Sequence, residues 1–372
     1  MLLTNAVLWT EEGFAQGPDI RLKNGFVAAF GRLSPLPGEP VRDLKGDYLI
    51  PGFVDVHIHA YQGHDTMRGE EDIRFMARGL RETGVSAFCP TTMSASLEDT
   101  KKAVAAVRQV RLFPKSFEAR VLGAHMEAPF LSPKKAGAQQ ACYFSDPSWE
   151  LFEQMTGGHP EDVRLMTLAP ERPGAEAFVK KAVSQGLRIS VGHTDADAAL
   201  THQAADWGAD HATHLFNAQP PLHHRCPGVP GAVLTDERFF AEMICDGVHL
   251  HRDTVRLICA CKGASRAVAI TDAMEAAGMP DGDYSLGGQR VIVHGSEARL
   301  ADGTLAGSVL TMPRALSNLI HRFSIDPWAA VRMCTAAPAD SIGESLLGRL
   351  LPGSPAPLTR WTPDWRLSEV IG

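Results

Sequence analysis

Six polar residues close or nearly close short apolar runs: His57 and His59 in VDVHIH, Glu127 in HMEAPF, His193 in SVGHTD, His214 in ATHLFNA and Asp272 in AITDA. Imidazoles and carboxylates together form the donor set of a divalent metal such as zinc or iron. A metal of that kind beside a proton-carrying carboxylate is equipment for hydrolysis. His57 and His59 are two residues apart, so on a strand they share a face and can grip one ion. An H-x-H pair alone is weak evidence, because two histidines also serve as core or surface residues. Its weight comes from companions in equivalent places. Asp272 ends an apolar run, where an unpaired carboxylate is costly and a metal or its bound water would supply the partner. Its expected role is general base, and the bland alternative is a loop cap. His125 shares the face of Glu127 but fits a packed or supporting role equally well. His211, three residues before His214, faces the opposite way on an extended strand. His202, His223, His224, His251 and His294 lack this context and read mostly as surface or loop residues.

Positioning these residues requires strands. Eight candidates follow one another: FVDVHIH, VSAFCP, RVLGAHME, VRLMTLA, LRISVGH, ADHATHL, FFAEMICD and RAVAITD. Apolar runs of this length read as parallel strands buried on both faces. Helical stripes lie between most of them: Ile73, Met76, Ala77 and Leu80; Phe178, Val179, Ala182 and Val183; Val255, Ile258 and Cys259. The alternation predicts an α/β fold, a (β/α)8 TIM-like barrel with the polar residues at the carboxyl ends of its strands. An open doubly wound sheet is the competitor, but no G-x-G-x-x-G turn is present.

The flanks differ in character. IRLKNGFVAAF predicts a hairpin around Asn24-Gly25, and the tail LPGSPAPLTRWTPDWRLSEVI is again turn-rich and strand-like. We expect residues 1–48 and 341–372 to form one small β-sandwich domain beside a barrel of residues 49–340. A β-rich insertion is expected in YSLGGQRVIVHGSEARLADGTLAGS, then two helices near 311–323 and 326–336.

The chain has 372 residues, 44% of them hydrophobic and 21% charged, as in an ordinary globular protein. A net charge of −7 argues against a nucleic-acid partner but leaves room for an anionic small molecule. MLLTNAVLWTEEG lacks a basic start and a long apolar core, so neither a secretory signal nor a membrane span is expected. Seven scattered cysteines without a C-x-x-C pair fit core packing in a reducing cytoplasm.

At these residues the chain resembles the amidohydrolase superfamily, and within it the N-acetylglucosamine-6-phosphate deacetylase family. The segments PGFVDVHIHA, PTTMSAS, HMEAPFLSPKKAGA, TLAPE, SVGHTDA, ATHLFNAQ, DGVHL, ITDAM and DGTLAGSVLTM carry the resemblance in order. It implies that Glu127, His193 and His214 hold the metal common to all members. His57 and His59 would admit a second ion, with Glu127 bridging where many relatives use a carboxylated lysine. Asp272 would be the acid/base. One or two divalent ions are implied, zinc or iron foremost, with manganese and cobalt as alternatives. His249 and Arg225 match positions that hold a sugar phosphate, and both residue types suit phosphate. Asn217 and Ala218 match substrate contacts. An arginine reaching into the neighbouring subunit's site implies a homodimer.

The chain departs from the family pattern at KKAGAQQA, where Gln139 stands in place of a histidine that polarises the substrate carbonyl. A glutamine amide donates a hydrogen bond but carries no charge, and two metals can take over that polarisation. Ala128 and Gln219 replace a usual glycine and methionine. The expected reaction is removal of the acetyl group of N-acetyl-D-glucosamine 6-phosphate. N-acetylgalactosamine 6-phosphate, another acyl group or an N-acyl-D-amino acid are alternatives. A non-catalytic sugar-phosphate-binding protein on the same barrel is the remote one.

Overall fold

The computed structural model describes residues 1–372. All eight expected strands form in order: β1 (Phe53–Ile58), β2 (Val85–Thr92), β3 (Ala124–Met126), β4 (Val163–Leu168), β5 (Arg188–Val191), β6 (His211–Ala212), β7 (Phe240–Ile244) and β8 (Ala267–Ile270). A short segment, Arg120–Val121, pairs with β2 before β3 begins. Each strand is hydrogen-bonded in parallel to the next, from β1 through β8. Helices on the outside explain why the strands are apolar on both faces. Helix α1 (Glu70–Glu82) buries Ile73, Met76, Ala77 and Leu80, and starts with Glu70, Glu71 and Asp72 at the positive end of its dipole. Helix α2 (Ala175–Ser184) buries Phe178, Val179 and Ala182, while Val183 stays on the rim of that stripe.

The ring closes between β8 and β1 through contacts at and just beyond the strand ends. Asp272 N donates to His57 O at 2.8 Å, and His59 N and Ala60 N both donate to Ala273 O. Deeper in the same seam, the fully buried Asp55 carboxylate accepts from the Thr271 hydroxyl at 2.6 Å.

The chain ends meet beside the barrel. Val7–Thr10 and Gly13–Gln16 share a five-stranded sheet with Tyr48–Pro51, Leu358–Trp361 and Leu367–Ile371. Leu2–Thr4, Asp19–Lys23, Phe26–Gly31 and Val41–Asp43 form a second sheet. Leu3, Leu8, Ile20, Leu22, Val27, Leu49, Leu358 and Ile371 fill the space between the two, giving a small sandwich. Asn24 and Gly25 both have positive φ, 52° and 78°, as the predicted two-residue hairpin turn requires. The expected insertion is a three-stranded antiparallel sheet, Gly282–Leu286, Gln289–His294 and Glu297–Leu300. It packs Leu286, Val291 and Val293 on Met93 and Met274 near the barrel mouth.

Three helices follow rather than two. Met312–Ser317 widens into a π turn over Asn318–Arg322, Pro327–Cys334 is the second, and Ala336–Ser341 is the third. The last carries Pro338 in its first turn, where the missing N–H and fixed φ are tolerated. No helix is long and apolar enough to cross a membrane.

Gly52 joins the end sheet to β1, and a Cβ there would lie 2.4 Å from Pro357 O and 2.7 Å from Ser86 Cβ. Backbone cannot yield as a side-chain tip can. We therefore expect Gly52→Ala to lose about 1–3 kcal/mol of stability, read as a lower urea midpoint at unchanged slope.

Candidate metal centre

The six residues converge at the carboxyl ends of the strands. Glu127 follows β3 directly. His193, His214 and Asp272 each lie two residues past β5, β6 and β8, and all three take left-handed backbone, with φ of 46°, 28° and 48°. Such conformations cost on the order of 1–3 kcal/mol each and concentrate at functional sites. Gly192 lets β5 run close to its neighbours just before His193; a Cβ there would lie 2.6 Å from Thr213 Cβ.

Glu127 stands between two groups of donors. Its Oε1 is 3.1 Å from His193 Nε2 and 3.0 Å from His214 Nε2, and those two nitrogens are 3.1 Å apart. Its Oε2 is 3.2 Å from His59 Nε2, which is also 3.2 Å from Asp272 Oδ1 and 3.4 Å from His57 Nε2. Donors at about 2.0–2.1 Å from a tetrahedral ion are roughly 3.3 Å from one another. These separations match that edge. All six side chains are buried.

The far sides of the rings settle what the near sides offer. His193 Nδ1 donates to Lys135 O at 2.9 Å, and His59 Nδ1 to Thr91 O at 3.3 Å. His57 Nδ1 lies 3.0 Å from Glu242 Oε2. A carbonyl or carboxylate only accepts, so the proton sits on Nδ1 and the lone pair of Nε2 faces the cluster. Nitrogens and carboxylate oxygens packed this closely need positive charge among them, supplied by a bound cation or, without one, by protons on the rings. The donor set therefore fits a divalent metal at Glu127, His193 and His214, and a second at His57, His59 and Asp272.

The electrostatics agree. Burial disfavours a charged His57, yet Asp272, Glu127 and Glu242 outweigh it and raise its pKa to about 9. His59 is raised to about 10 against its burial by Asp272 and Glu127. Burial would raise Glu127, but the surrounding histidines, His57 foremost, hold it well below the usual carboxylate range. His57 likewise keeps Asp272 low in spite of burial. The site favours positive charge and keeps both carboxylates ionised.

Above the cluster lies a cleft of about 220 Å³. His59, Glu127, His193, His214 and Asp272 reach it, and Gln139, Asn217, Ala218 and His249 also line it, with Met93 and Leu286 adding apolar surface. His57 is fully buried and does not reach the cleft. Arg225 does not reach it either: it is exposed, with its guanidinium 2.7 Å from His224 Nε2. Gln139 accepts from Ser94 N at 2.7 Å and donates to Glu127 Oε2 at 2.5 Å, so its amide hydrogens face the cluster. His125 is excluded as a donor, since Nδ1 meets Val56 O and Nε2 meets the Thr167 hydroxyl.

Asp246 and Glu242 escaped the sequence reading, as did the supporting role of Gln219. Asp246 accepts from His249 Nδ1 at 2.7 Å; the D-x-x-H spacing in DGVHL was the available signal. Glu242 was visible only as an acid inside the apolar run FFAEMICD. Gln219 bonds Thr213 O and Phe216 N, stitching the turn that carries Asn217 and Ala218.

The fold and donor set define a parallel barrel with candidate metal-binding groups at its mouth. Residues 48–370 match the amidohydrolase family, and the chain belongs to that family. The chain is 36% identical over 352 residues to an N-acetylgalactosamine-6-phosphate deacetylase of Escherichia coli O157:H7, covering 94% of this chain and 92% of that protein. It is 37% identical over 322 residues to an N-acetylglucosamine-6-phosphate deacetylase of Lysinibacillus sphaericus, covering 86% and 82%. Among solved structures, the N-acetyl-D-glucosamine-6-phosphate deacetylase of Mycobacterium smegmatis superposes with a TM-score of 0.91 at 33% identity, covering 100% of this chain and 98% of that one.

Zinc or manganese added to chelator-treated protein is expected to raise its melting temperature by several degrees. The ion binds only the folded site and stabilises by about 4 kcal/mol at a thousandfold excess over Kd. Changing His193 and His214 to alanine should abolish most of that rise in a thermal scan.

Proposed function

We propose that the chain removes the acetyl group of N-acetyl-D-glucosamine 6-phosphate, giving acetate and D-glucosamine 6-phosphate. The observation that carries this reading is a complete donor cluster, with the Asp272 carboxylate at the floor of a small cleft, in a chain whose relatives deacetylate amino-sugar phosphates. A bound divalent ion, zinc or iron in this reading, supplies Lewis acidity and lowers the pKa of water to near ~7. Glu127, His193 and His214 hold the first ion; His57, His59 and Asp272 hold a second. Asp272, kept ionised by its neighbours, takes the proton of the attacking water and later delivers it to the departing amine. Asn217 and Ala218 orient the sugar, and Gln139 donates toward the reacting carbonyl or the carboxylate beside it.

His249, held by Asp246 at the cleft wall, binds the phosphate together with Arg225. Arg225 lies outside the cleft of its own subunit, which favours its service to a second copy and hence a homodimer. In this reading residues 1–48 and 341–372 form a supporting β-domain, residues 49–340 the catalytic barrel, and the enzyme works in the cytoplasm.

N-acetylgalactosamine 6-phosphate is the second reading. It is favoured by the relative matched over 94% of this chain, whose name carries that sugar. Acetate release from the two 6-phosphates and from unphosphorylated N-acetylglucosamine separates the cases. We expect kcat/KM to be highest for a phosphorylated sugar; equal values with and without phosphate would remove His249 and Arg225 from their roles. For Asp272→Asn we expect turnover to fall by about 10²–10⁴ while the ion held by Glu127, His193 and His214 is retained. Near-normal turnover would remove Asp272 as proton carrier.

A further inference from the structure

Glu242 lies in the middle of β7, fully buried, in a run whose other members are apolar. A carboxylate in that setting needs strong partners. It has two, and both belong to the metal cluster. Oε2 accepts from His57 Nδ1 at 3.0 Å and from the backbone N–H of His214 at 3.2 Å. Oε1 is buried with no hydrogen-bond partner. Nothing on the cleft side touches Glu242, since it is not among the residues lining the cleft. Its effect on chemistry therefore passes through the two histidines.

We infer that Glu242 is a positioning residue that sets the metal-binding tautomer of His57, and so determines whether a second ion is held. This rests on the metal-centre reading above. His57 Nδ1 has no other hydrogen-bond acceptor: Glu127, Asp272 and His59 lie at Nε2, and His125, whose ring centroid is 4.5 Å away, engages Val56 O and the Thr167 hydroxyl with its two nitrogens. With Glu242 in place the proton stays on Nδ1 and the lone pair points at the second site. Without it, His57 can carry its proton on Nε2, where two carboxylates and His59 Nε2 would accept it. That proton would occupy the place of an ion. His193 and His59 have backbone carbonyls for the same purpose, so their tautomers survive loss of Glu242. The bond to His214 N supports the left-handed turn at His214 but leaves the Nε2 of that ring untouched.

The test measures ions per chain and the affinity of each ion, by metal analysis and chelator competition, with zinc and with cobalt. Wild type should hold two ions. Glu242→Leu removes the acceptor and should weaken the second ion about 100-fold, leaving one ion per chain after gel filtration. The cobalt spectrum should lose one component and keep the other. Glu242→Gln restores an acceptor without charge and should weaken the second ion only about 10-fold. Combining Glu242→Leu with His57→Asn should cause no further loss of metal, because both act on one donor.

Wild-type affinity for both ions in Glu242→Gln overturns the inference, whether or not the leucine variant folds. A single ion in saturated wild type, or equal weakening of both ions in either variant, also overturns it. These readouts need no substrate. Failure of wild type to release acetate from an amino-sugar phosphate would defeat the functional reading alone.

Discussion

The rest of the structure depends on a cluster of lone pairs that only positive charge can hold together. Four imidazole nitrogens, the two oxygens of Glu127 and one of Asp272 meet in a space where neighbouring atoms are 3.0–3.6 Å apart. All six side chains are buried, so repulsion among acceptors is weakly screened. The protein commits backbone carbonyls, a buried glutamate and three left-handed residues to keeping those lone pairs aimed inward. Such investment is destabilising for an empty fold and is recovered when a cation binds.

The same residues close the barrel. Asp272 N donates to His57 O, and His59 N and Ala60 N donate to Ala273 O, so the seam between the last and first strands runs through the metal cluster. Just below, Asp55 spans the seam to Thr271. Burial pushes its pKa up to about 7, against the hydrogen bonds from Thr271 that pull it down. Closure of the ring and assembly of the site are therefore one event. A strand order that left β1 and β8 apart would separate His57 and His59 from Asp272 as well.

Much of this was legible in the residues. Buried parallel strands must be apolar on both faces, so the eight runs announced themselves, and the polar residues that end five of them had to point at something. The Asn24-Gly25 turn was legible because few residues accept two consecutive positive φ values. What escaped had physical reasons. Whether His125 points at the metal or at Thr167 depends on tertiary neighbours, since a strand places it on the same face as Glu127 either way. The partner of His57 lies 185 positions away on another strand, and no local pattern links them. The left-handed turns at His193, His214 and Asp272 defied expectation because no glycine or asparagine marks them; tertiary contacts alone hold them there.

Gln139 shows how the departures from the family pattern hang together. Its amide oxygen is fixed by Ser94 N, which forces its hydrogens toward Glu127 and the cluster. A neutral amide in that position supplies direction but no charge. Positive charge at the reacting carbonyl must then come from the cluster itself. The chain retains every donor that a second cation needs, His57 and His59 among them, and places Glu242 behind His57 to keep its lone pair available. A glutamine at 139 beside a depleted H-x-H pair would leave the carbonyl with little to polarise it. Beside an intact pair, the substitution is chemically coherent.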